Sequence, residues 1–166
     1  MSIRIIVKDP DPALREVAKP IPRLTSNIQK LLDDMADTMY DAPGIGLAAP
    51  QIGILKRAIV MDVGDEHGLI HLVNPVIVHK EGEQIGPEGC LSIPGLLGDV
   101  RRAMKVRVKG LDREGNEIEI EGEDLLARCI QHEVDHLNGV LFTDVAIKVY
   151  REELREDDEE EEGDPL

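Results

Sequence analysis

Aromatic residues are almost missing from this chain. Its 166 residues include no tryptophan, one phenylalanine (Phe142) and two tyrosines (Tyr40 and Tyr150). Its core must therefore be aliphatic, and with 42% hydrophobic residues it has enough material for one. Cysteine is scarce too. Cys90 and Cys129 read as buried thiols rather than as a disulfide, since no export signal is visible ahead of them. Long apolar runs are absent: none approaches the ~20 residues that cross a bilayer. The N-terminus, Met1-Ser2-Ile3-Arg4, shows no basic leader followed by an apolar stretch. A soluble, cytoplasmic protein without a membrane partner is the expectation.

Positive charge is the last deficit. Lys and Arg number 19 against 34 Asp and Glu, a net charge of −15. Phosphate contacts need clustered cations, so direct DNA binding is not expected. The excess is uneven: residues 151–166 hold ten acids and two bases. Residues 1–150 read as one domain and residues 151–166 as an acidic tail, frayed or disordered.

What is present falls into helix and strand periodicities. Four prolines (Pro10, Pro12, Pro20, Pro22) punctuate an irregular arm. Ile28, Leu31, Leu32, Met35 and Met39 share a helix face, predicting a helix over about 26–40 with Ser26 and Gln29 as a capping box. The runs 57–63, 69–73 and 76–79 read as short strands, and 88–92 as an irregular stretch. Residues 104–111 and 117–121 read as a hairpin turning at Glu114-Gly115-Asn116. A second helix is predicted over about 123–138, started by Glu123 and Asp124 and stopped at Asn138-Gly139. The fold class is therefore α+β, with antiparallel sheets packed around a C-terminal helix.

That helix carries His132-Glu133-Val134-Asp135-His136. Residues four apart on a helix project from one side, so both imidazoles can reach one ion. Glu133 sits where a carboxylate can move the proton of a metal-bound water. Leu125, Cys129, His132 and His136 fall on one stripe, and a buried histidine stripe without a partner is costly. A third ligand is required. Downstream, Asp144 and the tail acids show no pattern that separates a ligand from solvated charge. Upstream, Cys90 stands in a glycine-bracketed segment, and a thiolate with two imidazoles leaves one position open. The pattern alone also permits a zincin-like endopeptidase, or a protein that holds a structural metal only.

Three segments together resemble the peptide deformylase family. They are Gly44-Ile45-Gly46-Leu47-Ala48-Ala49-Pro50-Gln51, Glu88-Gly89-Cys90-Leu91-Ser92 and Gln131 to Gly139, and the similarity spans about residues 3–145. The resemblance implies hydrolysis of the formyl group of N-terminal formyl-methionine on nascent polypeptides, by attack of metal-bound water. It implies Cys90, His132 and His136 as ligands of one divalent ion. Ferrous iron serves readily in the family; zinc, nickel or cobalt also work in related enzymes. Glu133 would be the general acid/base, with Gln51 and the Leu91 N–H stabilising the oxyanion. The Gly44–Gly46 loop and Gly89 would meet an extended peptide, and Ile45, Leu125 and Cys129 would line the methionine pocket. Cys129 could also ligate, but the register of 88–92 favours Cys90. Glu88 is expected to pair with an arginine such as Arg102. His67, His71 and His79 have no ligand spacing. Leu96 and Leu97 stand where some members carry a peptide-holding arginine. Some relatives dock on ribosomes through a basic C-terminal helix; the acidic tail here implies weak or different ribosome association.

Overall fold

Alternation decides which way the central strands face. A computed structural model of the chain describes residues 2–152. In β2 (Ala58–Met61) every residue is buried, because both faces are covered. Ile59 and Met61 point to one helix, Ala58 and Val60 to the other. The first helix, α1 (Ser26–Asp41), lays Leu31, Leu32, Met35 and Met39 against Ala58, Val60, Val73 and Leu47. The second, α2 (Asp124–Leu137), lays Leu126, Ala127, Cys129 and Ile130 against Ile59, Met61, Leu72 and Val106. Each fully buried Leu, Ile or Met contributes about 1.5–3 kcal/mol, so these two layers dominate the stability.

The sheet between the helices runs β1 (Gly46–Ala48), β2, β3 (Ile70–Glu81), β6 (Lys105–Leu111) and β7 (Glu117–Glu123), all antiparallel. A second sheet runs β4 (Gln84–Cys90), β5 (Ile93–Arg102) and β8 (Lys148–Arg151). Its inner side packs Cys90, Ile93 and Val100 against Leu14, Leu141 and Phe142, the last in the short helix α3 (Phe142–Val145).

The α+β class, the two long helices and the 104–121 hairpin follow the expectation. Four local readings are corrected. The cap of α1 is Thr25, whose side chain accepts from Ile28 N at 3.3 Å, while Gln29 donates to Arg113 O instead of closing a box. The runs 69–73 and 76–79 are one strand. It is bent at Asn74, which takes a φ of 51° and exchanges two hydrogen bonds with the Ile21 backbone. The stretch 88–92 is the end and turn of the β4–β5 hairpin rather than an irregular segment. Arg151, assigned to the tail, ends β8 opposite Leu96. The expectation of a frayed tail over 153–166 lies outside the described residues.

Candidate metal and catalytic site

The site forms where α2 passes between the two sheets. Hydrophobic burial of Leu126, Ile130 and Leu137 on the sheet fixes the rotation of α2, and that rotation turns His132 and His136 towards β4. Glu88, Gly89 and Cys90 end β4, all buried. The Cys90 Sγ comes 3.4 Å from His136 Nε2, and the two imidazole Nε2 atoms are 3.2 Å apart. Among the described residues, one atom from each of Cys90, His132 and His136 lies within 4.8 Å of the other two. All three residues are at most 3% exposed.

The donor set suits a divalent transition metal: one sulfur and two nitrogens, converging in the buried interior. Two further observations fit the same group. Both carboxylate oxygens of Glu133 are buried without a hydrogen-bond partner, as is His136 Nδ1. Burial pushes the Glu133 carboxyl up to about 7, with the His132 charge opposing it. The two histidines cannot both carry charge at this distance. Burial works against a charged His132, but hydrogen bonds to Cys90 and Glu88 outweigh it and raise that ring to about 10. Burial, then the charge on His132, holds His136 well below its ordinary 6.5.

Glu88 organises the wall behind the ligands. Its Oε1 accepts from His132 Nδ1 at 2.8 Å, which fixes the ring and leaves Nε2 facing Cys90 and His136. Arg102 Nε donates to Glu88 Oε2 at 2.8 Å and its second terminal nitrogen to Oε1 at 2.9 Å. Arg102 also reaches Asp135 at 2.7 Å. The pairing of Glu88 with Arg102 was legible in the sequence. The additional contact from Arg128, at 2.6 Å, was not. These hydrogen bonds overcome the penalty of burial and hold the Glu88 carboxyl well below the usual carboxylate range.

The remaining nominated residues divide. Gln51 is fully buried beside the ligands. Its Oε1 accepts from Ala48 N at 3.0 Å, and its Nε2 lies 3.6 Å from Cys90 Sγ and 3.2 Å from Ser92 Oγ. Leu91 sits in the β4–β5 turn, half-buried, next to Cys90. Gly46, in β1, passes directly over Glu133: a Cβ there would collide with Glu133 Oε2 and come within 2.9 Å of Cys129 Sγ. Cys129 donates to Ile45 O at 3.6 Å, and burial raises its thiol pKa well above the ordinary value. Both cysteines are free. Ile45 packs half-buried on the α2 core. Leu125 departs from the predicted stripe. It is 46% exposed at the start of α2, where Cys129, His132 and His136 are buried. It borders an open cavity with Val63, His67, Asp124 and Leu126. Leu126 and Ala127 of the same turn are the residues buried on the sheet, so Leu125 faces outward. Leu96 and Leu97 are half-buried in β5 beside β8.

His67 and His79 pair with Asp65 and Glu81 on the surface, and His71 lies within β3. Asp144 is engaged elsewhere, accepting from Arg15 at 2.5 Å and from Leu141 N at 2.9 Å. No helix among the described residues is long and apolar enough to cross a membrane.

Known proteins share this fold and much of this sequence. A family model for polypeptide deformylase matches residues 3–152. A peptide deformylase of Thermoanaerobacter pseudethanolicus is 59% identical over 156 residues, covering 94% of this chain and 97% of that one. One from Caldanaerobacter subterraneus is also 59% identical, over 93% of this chain and 96% of the other. The crystal structure of a peptide deformylase from Legionella pneumophila superposes with a TM-score of 0.84 at 54% identity, covering 87% of this chain and 86% of that chain. The Thermotoga maritima enzyme gives 0.85 at 40% identity, over 89% of this chain and 100% of that one. The chain belongs to the peptide deformylase family, hydrolases that depend on a metal and remove the formyl group from the N-terminal formyl-methionine of nascent polypeptides.

Proposed function

We propose that Cys90, His132 and His136 hold a single divalent ion, Fe2+ in the cell, and that Glu133 carries the proton traffic of deformylation. The observation behind this reading is one juxtaposition. Three ligand atoms from two distant stretches converge beside a buried carboxylate that has no partner of its own. When bound, the ion would polarise the formyl oxygen and acidify a water molecule. Zn2+, Ni2+ or Co2+ would suit the same sulfur and nitrogen donors.

The chain's own groups do the rest. Glu133 takes the proton of the attacking water and returns it to the departing amine. Burial, which raises the proton affinity of its carboxyl, favours the protonated carrier that the return step needs. The Gln51 side-chain N–H and the Leu91 backbone N–H face the developing oxyanion, each worth roughly 3 kcal/mol in contacts of this type. Gln51 is held for that role by its bond to Ala48 N. The Ile45–Gly46 backbone and Gly89 flank the peptide in extended conformation. Ile45 and Cys129 line the methionine side chain's pocket, with Leu125 at its open end.

Nascent chains place the work in the cytoplasm. The acidic character of residues 151–166 favours weak or different ribosome association. Ribosome co-sedimentation that depends on those residues would count against that reading.

Release of free amine from formyl-Met-Ala-Ser, with a chelator control, tests the function. Glu133→Ala should keep metal and fold while turnover collapses; unchanged turnover refutes the assigned role. Cys90→Ala should lose the metal. A zincin-like peptidase would retain it, and the engagement of Asp144 with Arg15 leaves that alternative without a third ligand among the described residues.

A further inference from the structure

We infer that Arg128 is a positioning residue that docks the Cys90-bearing hairpin onto the histidine-bearing helix, and so sets how tightly the metal is held. The inference rests on the ligand set proposed above. Arg128 lies one turn before His132 on α2 and is 5% exposed. Both side chains grip the same carboxylate: Arg128 reaches Glu88 Oε2 at 2.6 Å and His132 reaches Oε1 at 2.8 Å. Glu88 is two residues before Cys90 on β4. One carboxylate therefore ties the thiol's strand to the imidazoles' helix.

Arg128 also holds the hairpin by its backbone. The same terminal nitrogen donates to Gly86 O at 3.3 Å and to Val100 O at 3.1 Å. Gly86 and Val100 are register partners across β4 and β5. The other terminal nitrogen reaches Gln84 Oε1 at 3.3 Å. A single guanidinium thus touches both strands of the hairpin and the carboxylate that orients His132. Gly86 leaves room for it: a Cβ there would stand 3.2 Å from the Arg128 terminal nitrogen. Arg102 bonds Glu88 within the hairpin and reaches the helix only at the partly exposed Asp135, 2.7 Å away, whereas Arg128 grips Glu88 itself from the helix side.

Three of the Arg128 acceptors share one terminal nitrogen and the fourth takes the other, a two-pronged reach that the single nitrogen of an ammonium cannot match. Glu88 is the outer partner of His132, and loss of such a partner weakens metal binding by about 10- to 100-fold; Arg128 acts through it. The experiment uses the full chain loaded with Co2+. It measures the rate at which a chelator strips the ion, the visible ligand-field spectrum, and kcat and KM for formyl-Met-Ala-Ser. Arg128→Met should lose Co2+ about tenfold faster or more. Its spectrum should shift, and kcat should fall with KM little changed, since the peptide-binding loop is untouched. Arg128→Lys should recover only part of the loss. Gly86→Ala, which keeps every charge but crowds the guanidinium, should lose Co2+ faster than wild type while folded, and covers the case in which Arg128→Met does not fold. Asp34→Asn, a destabilised control remote from the site, should retain the wild-type rate and spectrum. Wild-type release rates and spectra in Arg128→Met or in folded Gly86→Ala would overturn the inference. Retention of Co2+ by Cys90→Ala would instead overturn the ligand set beneath it.

Discussion

At the residue scale, the site depends on atoms that are missing as much as on those present. Gly46 must lack a side chain because Glu133 Oε2 occupies the space its Cβ would need. Gly46→Ala should therefore displace the carboxylate or the strand. A misplacement near 1 Å costs about 10²-fold in rate, so kcat should fall by that order while metal content stays near one per chain. Metal analysis beside steady-state kinetics checks this. Gln51→Leu removes an N–H but keeps the volume, and should lower kcat by about 10²–10³-fold with KM less affected. An unchanged kcat would remove Gln51 from the oxyanion site. The convergence of His132 and His136 was legible in the sequence because helical spacing puts them on one side. Cys90 was legible only through motif register, since no local pattern measures its distance from a helix some forty residues away. Arg128 was illegible: an arginine one turn before a histidine reads as solvent-facing until the hairpin covers it.

At the element scale, α1 and α2 were readable because their apolar faces repeat at the helical period and each meets a sheet face. The β4–β5 hairpin was not. Its buried residues mix Glu88, Ser92, Gly98 and Arg102 with Ile93 and Val100, so no hydrophobic alternation marks it. The extended arm before α1 buries Leu14, Ala18 and Ile21 and is held by polar contacts as well. Arg4 pairs with Asp34 at 2.8 Å, and Arg4 N donates to Thr38 Oγ1 at 2.8 Å. Lys30 adds a contact to Asp34 from the same helix at 3.3 Å. Burial works against the Asp34 carboxylate, but its hydrogen bonds to Arg4 and Lys30 prevail and lower its pKa below the ordinary 3.8. A depressed folded-state value stabilises the fold above 3.8, and that contribution is lost as pH falls through the folded value. Asp34→Asn should thus cost about 1 kcal/mol at pH 7, discounted for the exposed Arg4. The gap to wild type should close as pH drops below 3.8. Denaturant melts across that range measure it; a gap constant with pH would contradict the assignment.

At the scale of the whole molecule, α2 packs on the five-stranded sheet and reaches the three-stranded one, and the site sits between them. Each sheet alone lacks part of the ligand set: the histidines lie on the helix packed against one, the cysteine at the end of a strand in the other. Metal should therefore stabilise the fold as a whole. Removing it with a chelator should lower the melting temperature and abolish deformylation together, and adding one equivalent of Co2+ should restore both. Retained activity in fully chelated protein would contradict this. The family match ends at residue 152, so a chain stopped there should keep wild-type kcat and KM on formyl-Met-Ala-Ser. The central claim is that one thiolate and two imidazoles share a single ion, and metal-edge X-ray absorption on the zinc-loaded protein reads it directly. The account predicts one sulfur at about 2.3 Å and two imidazole nitrogens at about 2.0–2.1 Å, with the sulfur shell gone in Cys90→Ala. A wild-type spectrum with no sulfur shell, or one that survives the loss of Cys90, would contradict it.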